Sequence, residues 1–201
     1  MATRESPSRD WLPLVPSLVA VPNGAFATTI TGWALGSLPP GPATAAVAGN
    51  GAVAVGAALG ALALTITGGA TGNSAQVLQS ARTALNGRET ASVAATVRTT
   101  AVALTPLLQL IFTDAAAAVV ATITEADWTP VANTSTRRAL SARVPRGATH
   151  VAIGLVAFVD TGPLTGTVYL DDVTAGAAEL VVSDVAMGQL RVSVAVPGRW
   201  L

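Results

Sequence analysis

"TVYLDDVTA", residues 167–175, reads as a strand that is interrupted by two adjacent carboxylates, Asp171 and Asp172, between Leu170 and Val173. The chain has only eleven acidic residues in 201, so the placement needs a reason. Successive side chains of a strand point to opposite faces. One of the two carboxylates is therefore expected in water and the other against a partner.

The same period of two runs outward from this stretch. Leu62, Leu64 and Ile66 alternate with Ala61, Ala63, Thr65 and Thr67. Val93, Ala95 and Val97 alternate with Ala94, Thr96 and Arg98, and Val151, Ile153 and Leu155 with Ala152, Gly154 and Val156. Such alternation marks strands with one face on a core. Turn signals separate the runs: "LPPGP" at 38–42, "TGGATGN" at 67–73, "LNGRE" at 85–89, "PRG" at 145–147 and "DTGPLTG" at 160–166. Many short strands at this spacing predict an all-β, jelly-roll β-sandwich. "SAQVLQSARTAL" (74–85) and "TDAAAAVVATIT" (113–124) contain helix formers. Both sit between strand signals, so the first is read as a strand with room for a helical turn and the second as a hairpin followed by a strand.

The ends differ from the middle. Pro7, Pro13, Pro16 and Pro22 disfavour helix and predict an extended arm over 1–20. Trp11, Leu12, Leu14, Val15 and Leu18 make its second half apolar. At the other end, Leu190, Val192, Val194 and Val196 share one face, followed by "PGRWL" with Trp200. The chain therefore divides into an arm (1–20), a jelly-roll domain (21–177) and a strand extension (178–201). Both ends are expected either to fold back on their own sandwich or to make assembly contacts through Trp11, Leu14, Leu190, Val192, Val194 and Trp200.

Composition removes several function classes. Net charge is zero, which leaves no electrostatic footprint for nucleic acid. All eleven basic residues are arginine, consistent with a GC-rich genome, and there is no cysteine. The most apolar stretch, "AVAVGAALGALAL" (52–64), falls short of the roughly 20 residues a membrane helix needs. The N-terminus "MATRESPSRD" lacks an apolar signal core, so no signal peptide is expected.

Three segments, in order, carry a resemblance. "VPNGAFATTITGW" (21–33), "LNGRETASVAATVR" (85–98) and "GTVYLDDVTA" (166–175) resemble the opening, middle and closing segments of carbohydrate-binding-module jelly rolls of the family 4/9/22-like group, within the galactose-binding-like fold. The resemblance implies that the closing strand lies beside the N-terminal segment and that Asp172 ties that segment down near Asn23. In that family a structural calcium often sits there with a Glu. Ala27 stands where that Glu would be, which weakens the metal. The alternative is that Asp172 accepts backbone N–H groups near Asn23 and Gly24 with no ion.

Sugar platforms of such modules use exposed aromatics, and this chain has eight aromatics in all. Trp33 and Phe26 match core positions of the opening motif, and Phe112 and Phe158 lie in apolar runs and are read as core. Trp128 in "EADWTP" is left as the sugar-contact candidate, with Glu125, Asp127, Arg137 and Arg138 nearby in sequence and Asp127 and Arg137 chosen as its partners; packing beneath a loop is its other fate. His150 is the only histidine, and no G-x-S-x-G, P-loop or H-E-x-x-H occurs. Asp127, Asp160 and Asp171 are carboxylates whose facing the sequence does not give. No enzyme is expected. The resemblance, the two apolar ends and the lack of a signal segment together imply a virion component, a bacteriophage minor tail or capsid-decoration protein in a homo-oligomer, with weak host-glycan binding. The alternative is a carbohydrate-binding module of a bacterial cell-surface or glycan-degrading system.

Overall fold

A computed structural model describes residues 17–19, 21, 25–26, 29–37, 43–55, 59–126, 128–178, 185–186 and 189–190. The strands are β1 (Ser17–Val19), β2 (Trp33–Ser37), β3 (Thr44–Ala54), β4 (Leu59–Gly69), β5 (Ser74–Gln79), β6 (Thr83–Ala84), β7 (Thr90–Thr99), β8 (Leu104–Thr113), β9 (Val119–Thr124), β10 (Thr136–Arg143), β11 (His150–Val159), β12 (Leu164–Ala178), β13 (Val185–Ala186) and β14 (Gln189–Leu190). There is no helix among the described residues. Residues 74–85 form β5, a bend and β6, and residues 113–124 form a turn and β9, both strand-type as the flanking signals imply.

Two antiparallel sheets face each other. The first runs β10-β7-β12-β4-β3, with β1 added to β12. The second runs β2-β5-β11-β8-β9, with β6 added to β11. The alternating residues read from the sequence fill the space between them: Leu62, Leu64, Ile66, Val93, Val97, Val151, Ile153 and Leu155 belong to one buried cluster. Phe26 and Trp33 close one side of it edge to face, with ring centroids 5.5 Å apart. Burying an aromatic or Leu side chain of this kind contributes about 1.5–3 kcal/mol, and Phe26 is fully buried. In β8 and β11 the residues of both faces are buried, so "LTPLLQLIF" and "VAIGLVAFV" read as nearly unbroken apolar runs.

β12 lies beside β1, with Ser17 opposite Ala177 and Val19 opposite Ala175. The closing strand therefore adjoins residues 17–19 of the arm, while Asn23, where the tie was expected, lies outside the described residues. The two carboxylates are arranged differently from the expectation. Against β7, Asp171 pairs with Thr96 and Thr174 with Ala94, so β12 carries one extra residue between them. This is a β-bulge, and Asp172 within it takes a left-handed backbone (φ 49°). Leu170 and Val173 can then both face the core, as their burial shows. Asp171, at 1% exposure, is the buried carboxylate, and Asp172 is half-buried. An unbroken alternation would have separated the two by face; the extra residue overturns that.

Leu190 pairs with Val185 in the small β13-β14 hairpin. Trp11, Leu14, Val192, Val194, Trp200, Asn23 and Asp127 lie outside the described residues.

Candidate functional site

β9 leaves β8 at Glu125, and side chains take up the edge of β8 that it vacates. Glu125 N–H still donates to the Leu108 carbonyl at 2.9 Å. Its carboxylate turns back and accepts the Leu108 N–H through Oε2 at 3.3 Å. Two residues earlier, Pro106 presents its backbone to the same side, where its missing N–H costs nothing. Its carbonyl accepts from Trp128 Nε1 at 2.9 Å. Glu125 and Trp128 thus satisfy the strand edge that β9 abandons, as buried backbone groups require.

Arg138, on the inward side of β10, crosses from the other sheet. Its Nη2 lies 2.5 Å from Glu125 Oε1, with the Glu125 side chain 8% exposed. Its guanidinium stands 4.5 Å from the centroid of the Trp128 ring, an attractive cation–π geometry. Glu125, Arg138 and Trp128 therefore clip β9 of one sheet to β10 of the other. The sequence-based choice of Arg137 as the neighbour of Trp128 is corrected here. Arg137 is one position on, so it points away from the core (strand neighbours face opposite ways). It donates to the Asp172 carbonyl at 2.6 Å and to Thr174 Oγ1 at 3.0 Å, bracing the β12 bulge.

The free rim of Trp128 borders an open depression of about 590 Å³, lined also by Thr71, Gly72, Thr105, Thr129, Phe158 and Asp160. Its walls are fixed by the backbone. Gly72 N–H donates to the Val159 carbonyl at 2.8 Å, and Asp160 N–H to that of Ala103 at 2.9 Å. Gly162 N–H donates to Thr71 Oγ1 at 2.9 Å. A side chain at Gly162 would stand 2.5 Å from the Gly69 carbonyl oxygen, so this loop contact needs glycine. Asp160 Oδ2 accepts the Thr105 hydroxyl at 2.6 Å, which orients the carboxylate at the rim.

Sequence reasoning had placed Phe158 in the core and gave no binding role to Thr105 or Asp160. The signal was present: with Val151, Ile153 and Leu155 inward, Phe158 falls on the opposite face. There it is half-buried beside Thr105, its partner across β8 and β11. On the same face, farther along the strands, Gln76 donates to Gln109 Oε1, and Gln109 Nε2 donates to Thr124 Oγ1 at 3.0 Å. This forms a polar row across the sheet.

Asp160 is exposed just after β11, whereas Asp171 is buried within β12. His150 Nδ1 shares a hydrogen bond with Thr149 Oγ1 at 2.9 Å. No three acidic or histidine side chains converge among the described residues. Of the two residues expected at a structural calcium, Asp172 accepts from Arg137 through its carbonyl, and Asn23 lies outside the described residues. No helix of the described chain is long and apolar enough to cross a membrane.

No protein-family model and no curated protein matches the chain. Solved structures do. The enzymatically active domain of bacteriophage CBA120 tailspike protein 4 is similar at a TM-score of 0.61 and 21% identity, over 79% of this chain and 21% of that one. The CBM22-1 xylan-binding domain of Paenibacillus barcinonensis Xyn10C matches at 0.50 and 13% identity, over 79% of this chain and 94% of that one. A cyclase from Fischerella sp. TAU matches at 0.56 and 12% identity, over 81% of this chain and 98% of that one. The chain thus has the β-sandwich fold of carbohydrate-binding modules, and it spans about a fifth of the tailspike chain. At these identities the likeness concerns the fold, and one fold serves several functions.

Proposed function

We propose that this chain is a non-catalytic structural component of a bacteriophage particle, a minor tail or capsid-decoration protein, that touches host glycan weakly through the depression beside Trp128. The observation that carries the reading is the likeness to a domain of a phage tailspike. The site chemistry is compatible with a sugar: two aromatic rims, Trp128 and Phe158, an oriented carboxylate on Asp160, and threonine hydroxyls. Weak affinity follows from Trp128 being half-buried and already engaged with Arg138 and Pro106. Little of its ring is left for stacking.

The second reading is a carbohydrate-binding module of a bacterial glycan-degrading system. It is favoured by the near-complete span of the xylan-binding domain. Mass spectrometry of purified particles of a phage encoding the chain separates the two. Finding the chain in the particles supports the first; finding it only in culture supernatant or cell-wall fractions supports the second. A glycan array tests the contact, with Asp160→Asn expected to reduce any signal without altering the thermal midpoint. A tight ligand unaffected by Asp160→Asn and Trp128→Phe would place the sugar elsewhere.

A further inference from the structure

Most of the described arginines are committed inside the structure. Arg82 donates to Thr113 Oγ1 and to the Asp114 carbonyl. Arg98 reaches Asn133 Oδ1, Arg137 braces the bulge and Arg138 holds Glu125. Arg88, which has a partner of its own, lines a single depression of about 510 Å³ with Arg143, Arg146, Glu89, Val144 and Pro145. Arg143 and Arg146 are exposed and make no side-chain hydrogen bond or ion pair with the described residues. The scaffold beneath them is tight. Val144 N–H donates to the Glu89 carbonyl at 2.7 Å, Leu85 N–H to Thr149 at 2.9 Å and Arg88 N–H to Leu85 at 2.9 Å. Gly87 (φ 77°) and Gly147 (φ 90°) allow the two turns that carry the arginines.

Arg143 and Arg146, both exposed, share this depression with one carboxylate, Glu89, which leaves it net positive in a protein of zero net charge. Guanidinium presents paired N–H donors in a plane that matches the oxygens of carboxylate or phosphate. The volume falls within the range of small-ligand pockets, roughly 300–1,000 Å³, and suits one charged sugar unit. This end of the sandwich is also remote from Trp128. It adjoins the start of the ten-residue β11, while the Trp128 depression adjoins its end.

We propose that this depression is a second binding site, selective for an oxyanion carried on an acidic polysaccharide, either a uronate carboxylate or a phosphodiester. It rests on the reading of the chain as a glycan-contacting module and adds charge selectivity to it. Binding of polygalacturonate and of poly(glycerol phosphate) is measured by calorimetry on the full chain and on Arg143→Gln/Arg146→Gln. Neutral xylan and double-stranded DNA serve as controls. The variant keeps every bond described above, and its thermal midpoint is checked.

The expected result is binding of at least one acidic polymer, weakened tenfold or more in the variant and by raising salt from about 0.02 to about 0.2 M. Binding of polygalacturonate alone assigns the carboxylate, and of poly(glycerol phosphate) alone the phosphodiester. Failure of both polymers to bind, affinity unchanged in the variant, or DNA bound as tightly as either glycan overturns the proposal. If the acidic polymer binds as expected while no glycan, neutral or acidic, responds to Asp160→Asn, the Trp128 contact falls and this site stands.

Discussion

The Arg137 guanidinium donates to the main-chain carbonyl of Asp172 at 2.6 Å, across the outer face of the β10-β7-β12 sheet. A bulge leaves its extra residue outside the ladder, so its polar groups need another partner. Arg137 supplies one and reaches Thr174 and Thr96 as well. Arg137→Ala removes this brace. A charge-assisted hydrogen bond contributes about 1.5–3 kcal/mol, and solvent at this exposed residue brings the expected loss to the lower end. Urea unfolding should show the midpoint falling with the slope unchanged, and glycan binding should be unaffected.

The bulge also assigns unequal roles to the adjacent carboxylates. Asp171 is buried, so Asp171→Ala should cost about 1–3 kcal/mol through the polar groups it leaves behind. Asp172 holds a positive φ that glycine adopts freely. Asp172→Gly should therefore cost less than Asp171→Ala, because relief at that φ offsets part of what is lost with the residue's own contact. Denaturation midpoints of the two variants measured side by side decide this, and equal shifts would contradict the bulge assignment. The thermal midpoint should not move between calcium and chelator, because Ala27 stands where the resembling family has its Glu ligand.

Glu125 and Arg138 tie the two sheets at an edge that β9 has left. Removing one member of a buried ion pair leaves the other uncompensated, at about 3–5 kcal/mol. Arg138 is 24% exposed, which moves the expectation for Glu125→Ala toward 3 kcal/mol or below. Arg138→Ala also uncovers the Trp128 ring. A double-mutant cycle should return a coupling above about 0.5 kcal/mol, since the residues touch. A coupling near zero would mean that the clip does not hold the sheets.

Much of this fold was legible because period-two patterning reports directly on which side a residue faces. Leu62, Leu64 and Ile66 sit in the core where the alternation put them. The errors came from single-residue offsets. The bulge shifts the parity of β12, and nothing in "LDDV" announces an inserted residue. Arg137 and Arg138 differ by one position, and that step exchanges the outer face for the core side. Phe158 was misplaced by its apolar neighbours although its parity pointed outward. The role of Trp128 depends on where β9 ends, a tertiary fact; Pro106 within an apolar strand was the local hint, since proline marks a free edge.

The last prediction concerns the C-terminal segment. β12 remains paired through Ala178, which lies opposite Thr90 of β7. Deleting residues 179–201 therefore leaves the ladder of β12 whole. The deleted sequence carries Leu190, Val192, Val194 and Val196 with one parity, a row that needs burial against something. If that partner is another subunit, the shortened protein should unfold at nearly the same urea concentration. It should also lose self-association in analytical ultracentrifugation. If the segment belongs to its own sandwich, the midpoint should drop by the burial of four large aliphatic side chains, several kcal/mol at about 1.5–3 kcal/mol each. A monomer already present at full length, with the midpoint falling on deletion, would remove the assembly role from this end of the chain.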